Sequence, residues 1–379
     1  MKFGLFPGVS GLVAKPARRA AVFLTAAGLL FTINSARGIV VVGSGDPTYN
    51  TTAPTGNLAN SGWQWEGGWG DVTATAIGPH HIVSASHVGG GAGATFDYRG
   101  KRYLGVASYL APEADLRVTM IAGTLPDYAP LYTDKNETGK GLVLIGAGGP
   151  RGTAVSLSVG AGKKLKGWLW NGRDGQFRWG TNTVAAVVGN GDPTLRAPLP
   201  ADQIACTFDA SAGNDEATLT VGDSGGGAFL FDGGKWKLAG ILRAVESTFR
   251  FSATDSDFSA AIFDKGGLYE YDGSSFKLVP ALAVNRPTVF YAVRISGSAS
   301  WISQVMAGTA TPEYTMFVES SASPEGPFTA DSSVVLDTPN ARFVAPITDT
   351  LRYYRVADGR FNITGVKVNG DKLYLSLEL

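Results

Sequence analysis

The stretch VGDSGGGAF, residues 221–229, places one serine among four glycines, between two short apolar runs that read as strands. Glycine permits tight turns and leaves the neighbouring backbone N–H groups accessible. Such N–H groups can stabilise negative charge that develops on a reacting oxygen. Ser224 is therefore a candidate nucleophile, with Gly222 and Ser224 as the N–H donors of an oxyanion hole. Taken alone, the stretch is equally compatible with a glycine-rich hairpin that exposes a serine.

A serine hydroxyl becomes a useful nucleophile only when a nearby base removes its proton. The chain contains three histidines. His80 and His81 stand at the entrance of the run HHIVSAS, and we interpret them as strand-end residues. His87 stands at the exit of that run, where a strand end meets a glycine turn, and is the candidate base. Asp115, in PEADLRVTMIAG, directly precedes an apolar run and is the candidate carboxylate that orients the imidazole.

The sequence pattern around these residues is typical of an all-β protein. Residues 39–280 contain about a dozen short β-branched and aromatic runs separated by glycine turns, which indicates a sandwich or a pair of barrels. Near residue 281 the sequence pattern changes, and residues 281–379 contain strand-like runs and turns of their own. We therefore predict a separate small antiparallel β-sandwich for residues 281–379.

The first 38 residues are typical of an export signal. Basic residues at 15, 18 and 19 precede the uncharged run 20–33, and small residues follow it. The run is shorter than the ~20 residues of a membrane-spanning helix. We expect cleavage after Gly38, a mature chain that begins at Ile39, and a secreted or periplasmic product with no membrane association after signal removal.

Composition narrows the possible partners. Lys plus Arg and Asp plus Glu balance at 32 each, so charge gives no indication of a nucleic-acid partner. Cys206 is the single cysteine, so an exported form has no internal disulfide. No cluster of His, Cys and carboxylates stands at metal-ligand spacing. We expect no metal and no cofactor.

The segments SASHV, EADLRVTMI and GDSGGGAF occur in the order His, Asp, Ser, and together they resemble the trypsin-like (chymotrypsin-fold) serine proteases. The resemblance covers residues 39–280. It implies two six-stranded antiparallel β-barrels with His87, Asp115 and Ser224 in the cleft between them. It also implies a serine endopeptidase that acts on protein or peptide substrates. Residues 258–269 fit the last strand before the closing helix of that fold.

The resemblance implies further roles. Thr218 lies six residues before the serine, where the family sets its primary specificity, and the absence of an acidic residue there argues against cleavage after Lys or Arg. Arg243 and Val245 replace the small residues usual in the strand that pairs with the substrate. We assign both to the specificity pocket with Thr218 and expect a narrower or charged cleft. Asp223 would pair with a free ammonium group at Ile39.

Two functional hypotheses remain open from the sequence. The first is a secreted, non-tryptic serine endopeptidase. The alternative is a catalytically silent double-barrel protein that acts as an extracellular binding or adhesion module, because a fold does not fix a function. The C-terminal domain could bind glycan, protein or a cell surface, or serve as a spacer.

Overall fold

A computed structural model describes residues 38–189, 201–337, 342–347, 351–357 and 362–378. The export segment predicted for residues 1–38 therefore lies outside the described residues, apart from Gly38. In the described part of the chain, no helix is long and apolar enough to cross a lipid bilayer.

The first barrel is built from six consecutive strands. It closes because the fifth of these strands, which is the longest, pairs with both the strand before it and the strand after it. Three single-turn 3₁₀ helices, Gly56–Leu58, Trp63–Trp65 and Ser86–Val88, lie in the connections. In chain order the strands are β1 (Val40–Val41), which precedes the barrel, and then β2 (Glu66–Trp69), β3 (Val72–Gly78), β4 (His81–Ala85), β5 (Thr95–Tyr98), β6 (Lys101–Leu110) and β7 (Leu116–Ile121).

The alternation of side chains along β3 explains how this barrel meets the rest of the molecule. Successive residues of a strand point to opposite faces. Ala74 and Ala76 pack in the interior of the first barrel, whereas Thr73 and Thr75 on the other face are buried toward the second barrel. One face of β3 thus carries small side chains in the core of the first barrel. The other face carries hydroxyl groups at the interface between the barrels.

The second half contains a closed barrel and an accessory sheet. The elements are β8 (Gly141–Gly146), β9 (Arg151–Val159), β10 (Gly162–Trp170), β11 (Arg178–Val188), β12 (Gln203–Thr207), β13 (Ala217–Thr218), β14 (Gly227–Asp232), β15 (Lys235–Val245), β16 (Thr248–Arg250), β17 (Phe258–Ile262), β18 (Tyr269–Tyr271), β19 (Phe276–Leu278), β20 (Val289–Arg294) and helix α1 (Ile295–Met306). The barrel order is β11-β12-β20-β15-β14-β8, and the accessory sheet order is β19-β18-β16-β17-β10-β9.

Two sequence predictions about this half are wrong. The predicted domain boundary at residue 280 places β20 in the C-terminal domain. In the structure, β20 pairs with β12 and β15 and completes the second barrel. The run 258–269 is not the last barrel strand, because β17 pairs with β10 and β16 in the accessory sheet. The helix that follows the barrel, α1, buries Ile295, Ile302 and Val305 in the core between the barrels. The barrel half of the chain therefore extends to the end of α1.

The remaining strands are β21 (Tyr314–Thr315), β22 (Val318–Ser321), β23 (Thr329–Ala330), β24 (Val335–Asp337), β25 (Arg342–Pro346), β26 (Tyr353–Val356), β27 (Asn362–Asn369) and β28 (Lys372–Glu378). β21 pairs with β6 of the first barrel, and the others form two small sheets with the orders β23-β22-β26 and β24-β25-β28-β27. Both sheets share one buried apolar cluster with Leu104 and Val106 of the first barrel.

Candidate active site

Strand pairing in the first barrel brings His87 and Asp115 together. Ala85 at the end of β4 lies opposite Leu116 at the start of β7, so the residues just beyond these two positions meet. His87 Nδ1 lies 2.6 Å from Asp115 Oδ2, and the His87 backbone N–H donates to Asp115 Oδ1 over 2.9 Å. The Asp115 side chain is 7% exposed and that of His87 44%. The carboxylate thus orients the imidazole through Nδ1, and the opposite edge of the ring is exposed to the cleft.

Asp115 accepts two further hydrogen bonds. Ser86 Oγ donates to Oδ1 over 2.5 Å, and Arg243 Nε from the second barrel donates to Oδ2 over 3.0 Å. Burial raises the pKa of Asp115, but the hydrogen bonds from His87 and Ser86 outweigh burial and bring this pKa down to about 2. The carboxylate is therefore ionised throughout the neutral range, as a group that orients a base and stabilises its protonated form must be.

Ser224 lies on the opposite wall of the same cleft. Its hydroxyl donates to the Arg243 carbonyl oxygen over 3.3 Å. Among the described residues, no hydrogen bond joins Ser224 to His87. The two side chains nevertheless line the same two adjoining cavities, of about 430 and 320 Å³. The structure therefore brings the three predicted residues to one cleft, with the serine hydroxyl directed to a backbone acceptor.

In the serine segment, two backbone N–H groups make no hydrogen bond to any described residue. Those of Asp223, Gly225 and Gly226 donate to carbonyl oxygens of the chain. Within the described ranges, the N–H groups of Gly222 and Ser224 make no such hydrogen bond. Gly222 has φ +101°, a conformation that glycine adopts readily. Gly222 and Ser224 are the two residues whose N–H groups the sequence predicts as oxyanion donors.

Close packing explains why three glycines follow the serine. A β-carbon on Gly225 would meet Ser84 Oγ, and one on Gly226 would lie 2.9 Å from Thr73 Oγ1. A β-carbon on Gly227 would lie 2.6 Å from Glu66 Oε1. These three atoms belong to the first barrel, whereas the Ile145 carbonyl oxygen against Gly226 and the Phe229 ring against Gly227 belong to the second barrel. Close packing from both barrels therefore requires glycine at position 227.

Asp223 is fully buried beneath the serine. Its Oδ1 accepts the Gly148 N–H over 2.7 Å, and its Oδ2 accepts the Thr220 N–H over 2.7 Å. Burial raises the pKa of Asp223 to about 6, while these N–H groups act in the opposite direction. Ile39 is 1% exposed in the core of the second barrel. Gly38, the residue before it, accepts a hydrogen bond from Thr220 Oγ1 over 3.4 Å, and that hydroxyl lies 3.2 Å from Asp223 Oδ2.

The smaller of the two cavities has a mostly apolar wall. It lies beside Ser224 and is lined by Arg243 and Val245 together with Trp170, Leu219 and Val221. The prediction for Thr218 is wrong. Thr218 is fully buried in β13, opposite Val40 of β1, and does not line the cavity. Residues 219–222, which follow β13, line the cavity instead.

Sequence reasoning missed three residues of the cleft. Ser86 is adjacent to His87 and donates to Asp115. Trp170, at the end of β10, lines the smaller cavity. Arg173 covers Gly222 and donates to the Asp71 carbonyl of the first barrel over 2.8 Å. Only Ser86 had a signal in the sequence, its position beside the histidine.

The other two histidines lie at the far end of β4. His80 Nδ1 is 2.6 Å from the Gly123 carbonyl oxygen. His81 is buried, and burial lowers its pKa to about 4, with a contribution from His80. Their contacts are structural and distant from the cleft.

The closed six-stranded barrels define the all-β, chymotrypsin-like double-barrel fold, as the sequence predicted. No protein-family model matches the sequence, and no curated protein matches it. Among solved structures, the chain is similar to the active form of the Rv3671c protease from M. tuberculosis, with a TM-score of 0.35 and 13% identity over 64% of this chain and 75% of that one.

Two further solved structures are similar to the chain. One is the inactive form of a serine-to-alanine mutant of Rv3671c from M. tuberculosis H37Rv, with a TM-score of 0.36 and 13% identity over 69% of this chain and 98% of that one. The other is the HtrA-type protease AlgW with a decapeptide, with a TM-score of 0.34 and 15% identity over 62% of this chain and 52% of that one. The fold assignment rests on the strand pairings of the chain itself.

Proposed function

We propose that the chain is an exported serine endopeptidase that hydrolyses peptide bonds through an acyl-enzyme. The observation that carries the proposal is the 2.6 Å contact between His87 Nδ1 and Asp115 Oδ2, in the cleft that Ser224 also lines. Acyl transfer requires a base held by an ionised carboxylate, a serine in the same cleft, and N–H groups available to an oxyanion, and in the described part of the chain those of Gly222 and Ser224 have no partner.

In the proposed reaction, Ser224 Oγ attacks the peptide carbonyl and its proton passes to His87 Nε2. Asp115 holds the Nδ1–H and stabilises the imidazolium. The oxyanion accepts hydrogen bonds from the N–H groups of Gly222 and Ser224. His87 then protonates the departing amine, and a water molecule, deprotonated by His87, hydrolyses the ester. Ser224 must first turn from the Arg243 carbonyl toward His87, and side-chain rotation of this kind takes picoseconds to nanoseconds.

The specificity that we propose is for an uncharged, apolar side chain before the cleaved bond. The cavity of about 320 Å³ beside Ser224 presents Trp170, Leu219 and Val245, and burying an apolar side chain against them is favourable. The described cavity wall contains no carboxylate, so a basic side chain would have no counter-charge there.

Export and the role of the C-terminal sheets remain part of the proposal. Export to the periplasm or the outside of the cell rests on residues 1–38, of which only Gly38 is described. Binding of glycan, protein or a cell surface by residues 314–378 rests on the appended β-sheets.

One observation favours the alternative, a catalytically silent binding or adhesion module. The Ser224 hydroxyl donates to the Arg243 carbonyl instead of to the imidazole. A protein that has lost catalysis could keep this arrangement permanently.

Covalent labelling separates the two functions. We expect a peptidyl phosphonate with an apolar side chain next to phosphorus to add to the wild-type chain, as a single mass increase on Ser224. Ser224→Ala should abolish the label. Ser274→Ala, in an exposed turn of the accessory sheet, should retain it. A wild-type chain that takes up no label and cleaves no protein mixture would establish the binding function instead.

A further inference from the structure

Arg243 occupies an irregular position in β15. In the pairing of β15 with β20, Leu242 lies opposite Ala292 and Ala244 lies opposite Tyr291, so Arg243 is an extra residue with no partner in the ladder. Such a β-bulge bends the strand and redirects the extra residue, and bulges are common beside active sites. Here the bulge lies at the cleft between the barrels.

The side chain of Arg243 crosses the cleft to the first barrel. Its Nε donates to Asp115 Oδ2 over 3.0 Å. The same oxygen lies 2.6 Å from His87 Nδ1. The Arg243 side chain is 21% exposed and that of Asp115 is 7% exposed, so this ion pair is only partly screened by water.

The backbone of Arg243 contacts the third residue of the site. Its carbonyl oxygen accepts the Ser224 hydroxyl over 3.3 Å. One bulged residue therefore contacts the carboxylate through its side chain and the serine through its carbonyl. A small residue at this position would keep the second contact and lose the first.

We infer that Arg243 is a positioning residue for the proposed reaction. Its guanidinium binds Asp115 Oδ2 and offsets part of the carboxylate's charge, so that Asp115 stabilises a protonated His87 less than it would beside a small residue. A negative carboxylate stabilises an imidazolium, and a cation bound to that carboxylate opposes this effect. The inference rests on the proposed function only where it concerns proton transfer from Ser224.

Other charged groups around the cleft have different contacts. Arg173 and Asp71 line the larger cavity, and Arg173 donates to the Asp71 carbonyl. Arg117 of β7 is paired with Glu313 at 2.6 Å. In the described part of the chain, Arg243 and His87 are the ionisable side chains paired with Asp115.

The test compares Arg243→Gln, which removes the cation, with Arg243→Lys, which keeps a charge but loses the planar guanidinium. Arg102→Gln removes a cation from an exposed ion pair with Asp97 and is the matched control. The first measurement is the NMR titration of the His87 ring protons, which requires no catalysis. The second is the rate of phosphonate labelling of Ser224 from pH 5 to pH 9.

We expect Arg243→Gln to move the midpoint of both curves upward by about one pH unit, so that labelling at pH 6 is about tenfold slower than in the wild type. Arg243→Lys should move the midpoints less, and Arg102→Gln not at all. A merely structural role would lower labelling equally at every pH. Circular dichroism checks that each variant is folded.

The outcomes separate the inference from the proposed function. An unchanged His87 midpoint in folded Arg243→Gln would overturn the inference, whether or not Ser224 is labelled. A wild-type chain that is never labelled would overturn the proposed function, while a shifted His87 midpoint in Arg243→Gln would still support the coupling of Arg243 to the imidazole through Asp115.

Discussion

Glu66 of the first barrel packs directly on the backbone of Gly227, so closely that a β-carbon on Gly227 would lie 2.6 Å from Glu66 Oε1. The carboxyl group is buried and accepts the Thr75 hydroxyl over 2.6 Å. Burial raises the pKa of Glu66 to about 8, from an ordinary value of 4.5, although the neighbouring hydroxyls act in the opposite direction. A neutral carboxylic acid thus supports the serine segment at physiological pH.

The first prediction concerns Glu66→Gln. Between about pH 4.5 and pH 8, Glu66 is protonated in the folded chain and ionised in the unfolded chain. The unfolded state then binds fewer protons, so the free energy of unfolding falls as pH rises, by up to about 1.4 kcal/mol per pH unit from this group. Glutamine keeps the shape and removes the ionisation. Urea unfolding from pH 5 to pH 8 should therefore show a flatter pH dependence for Glu66→Gln.

Two other buried carboxyl groups, Asp223 and Glu216, have raised pKa values of about 6 and about 7. They also make the free energy of unfolding fall as pH rises, and they do so equally in the wild type and in Glu66→Gln. The control is Glu113→Gln, at an exposed position, which should leave the slope unchanged. Equal slopes for wild type and Glu66→Gln would contradict the prediction.

The second prediction concerns Gly227→Ala. The added methyl group would meet both the Glu66 carboxyl group and the buried ring of Phe229. Overpacking of this kind costs about 1–3 kcal/mol. Because Gly227 is three residues from Ser224, we also expect phosphonate labelling to slow at least about tenfold, the rate equivalent of about 1.4 kcal/mol.

Gly141→Ala provides the comparison for Gly227→Ala. A β-carbon on Gly141, at the start of β8, would meet no atom within 4 Å. Stability and labelling should both stay near the wild-type values. If Gly227→Ala behaved like Gly141→Ala, the close contact between Glu66 and the serine segment would not constrain the site.

The sequence predicted the double barrel and placed His87, Asp115 and Ser224 correctly at strand boundaries, because short local patterns carry that information. The sequence did not predict that β20 belongs to the second barrel. Its segment, TVFYAVRIS, has the same alternation as the strands of the C-terminal sheets, and the local pattern does not specify which sheet a strand joins. The contact between Arg243 and Asp115 joins residues 128 positions apart. Such a contact depends on a bulge and on the packing of two barrels, neither of which a local pattern specifies.

The third prediction concerns the C-terminal sheets. Met316 follows β21, donates its N–H to the Val106 carbonyl over 2.8 Å, and is buried in the cluster that the first barrel shares with the sheets. Met316→Ala should cost about 2–5 kcal/mol. Because the cluster is common to both parts, we expect one unfolding transition, with tryptophan fluorescence and Ser224 labelling lost together.

Val335→Ala, at a 64% exposed position of the same sheets, should leave the transition of the wild type in place. Two separate transitions in Met316→Ala, with labelling retained after the first, would show that the C-terminal sheets fold independently of the barrels.

The fourth prediction concerns the start of the mature chain. With Gly38 attached, Ile39 carries a neutral amide, and the buried Asp223 has a pKa raised to about 6. A chain that begins at Ile39 carries an ammonium group instead, close to the Thr220 hydroxyl that joins Gly38 to Asp223. A cation in this position favours the ionised carboxylate and lowers the pKa of Asp223. We expect this ion pair to order residues 222–224.

Two chains that begin at Gly38 and at Ile39, each verified by mass spectrometry of the N-terminus, provide the test. The chain that begins at Ile39 should label at least about tenfold faster at pH 8, since an ordered oxyanion hole contributes that much or more. Asp223→Asn in the chain that begins at Ile39 should remove the advantage, because the amide cannot pair with the ammonium group. Equal labelling of the two chains would show that the site is already competent with Gly38 attached, and that Asp223 serves only to hold the N–H groups of Gly148 and Thr220.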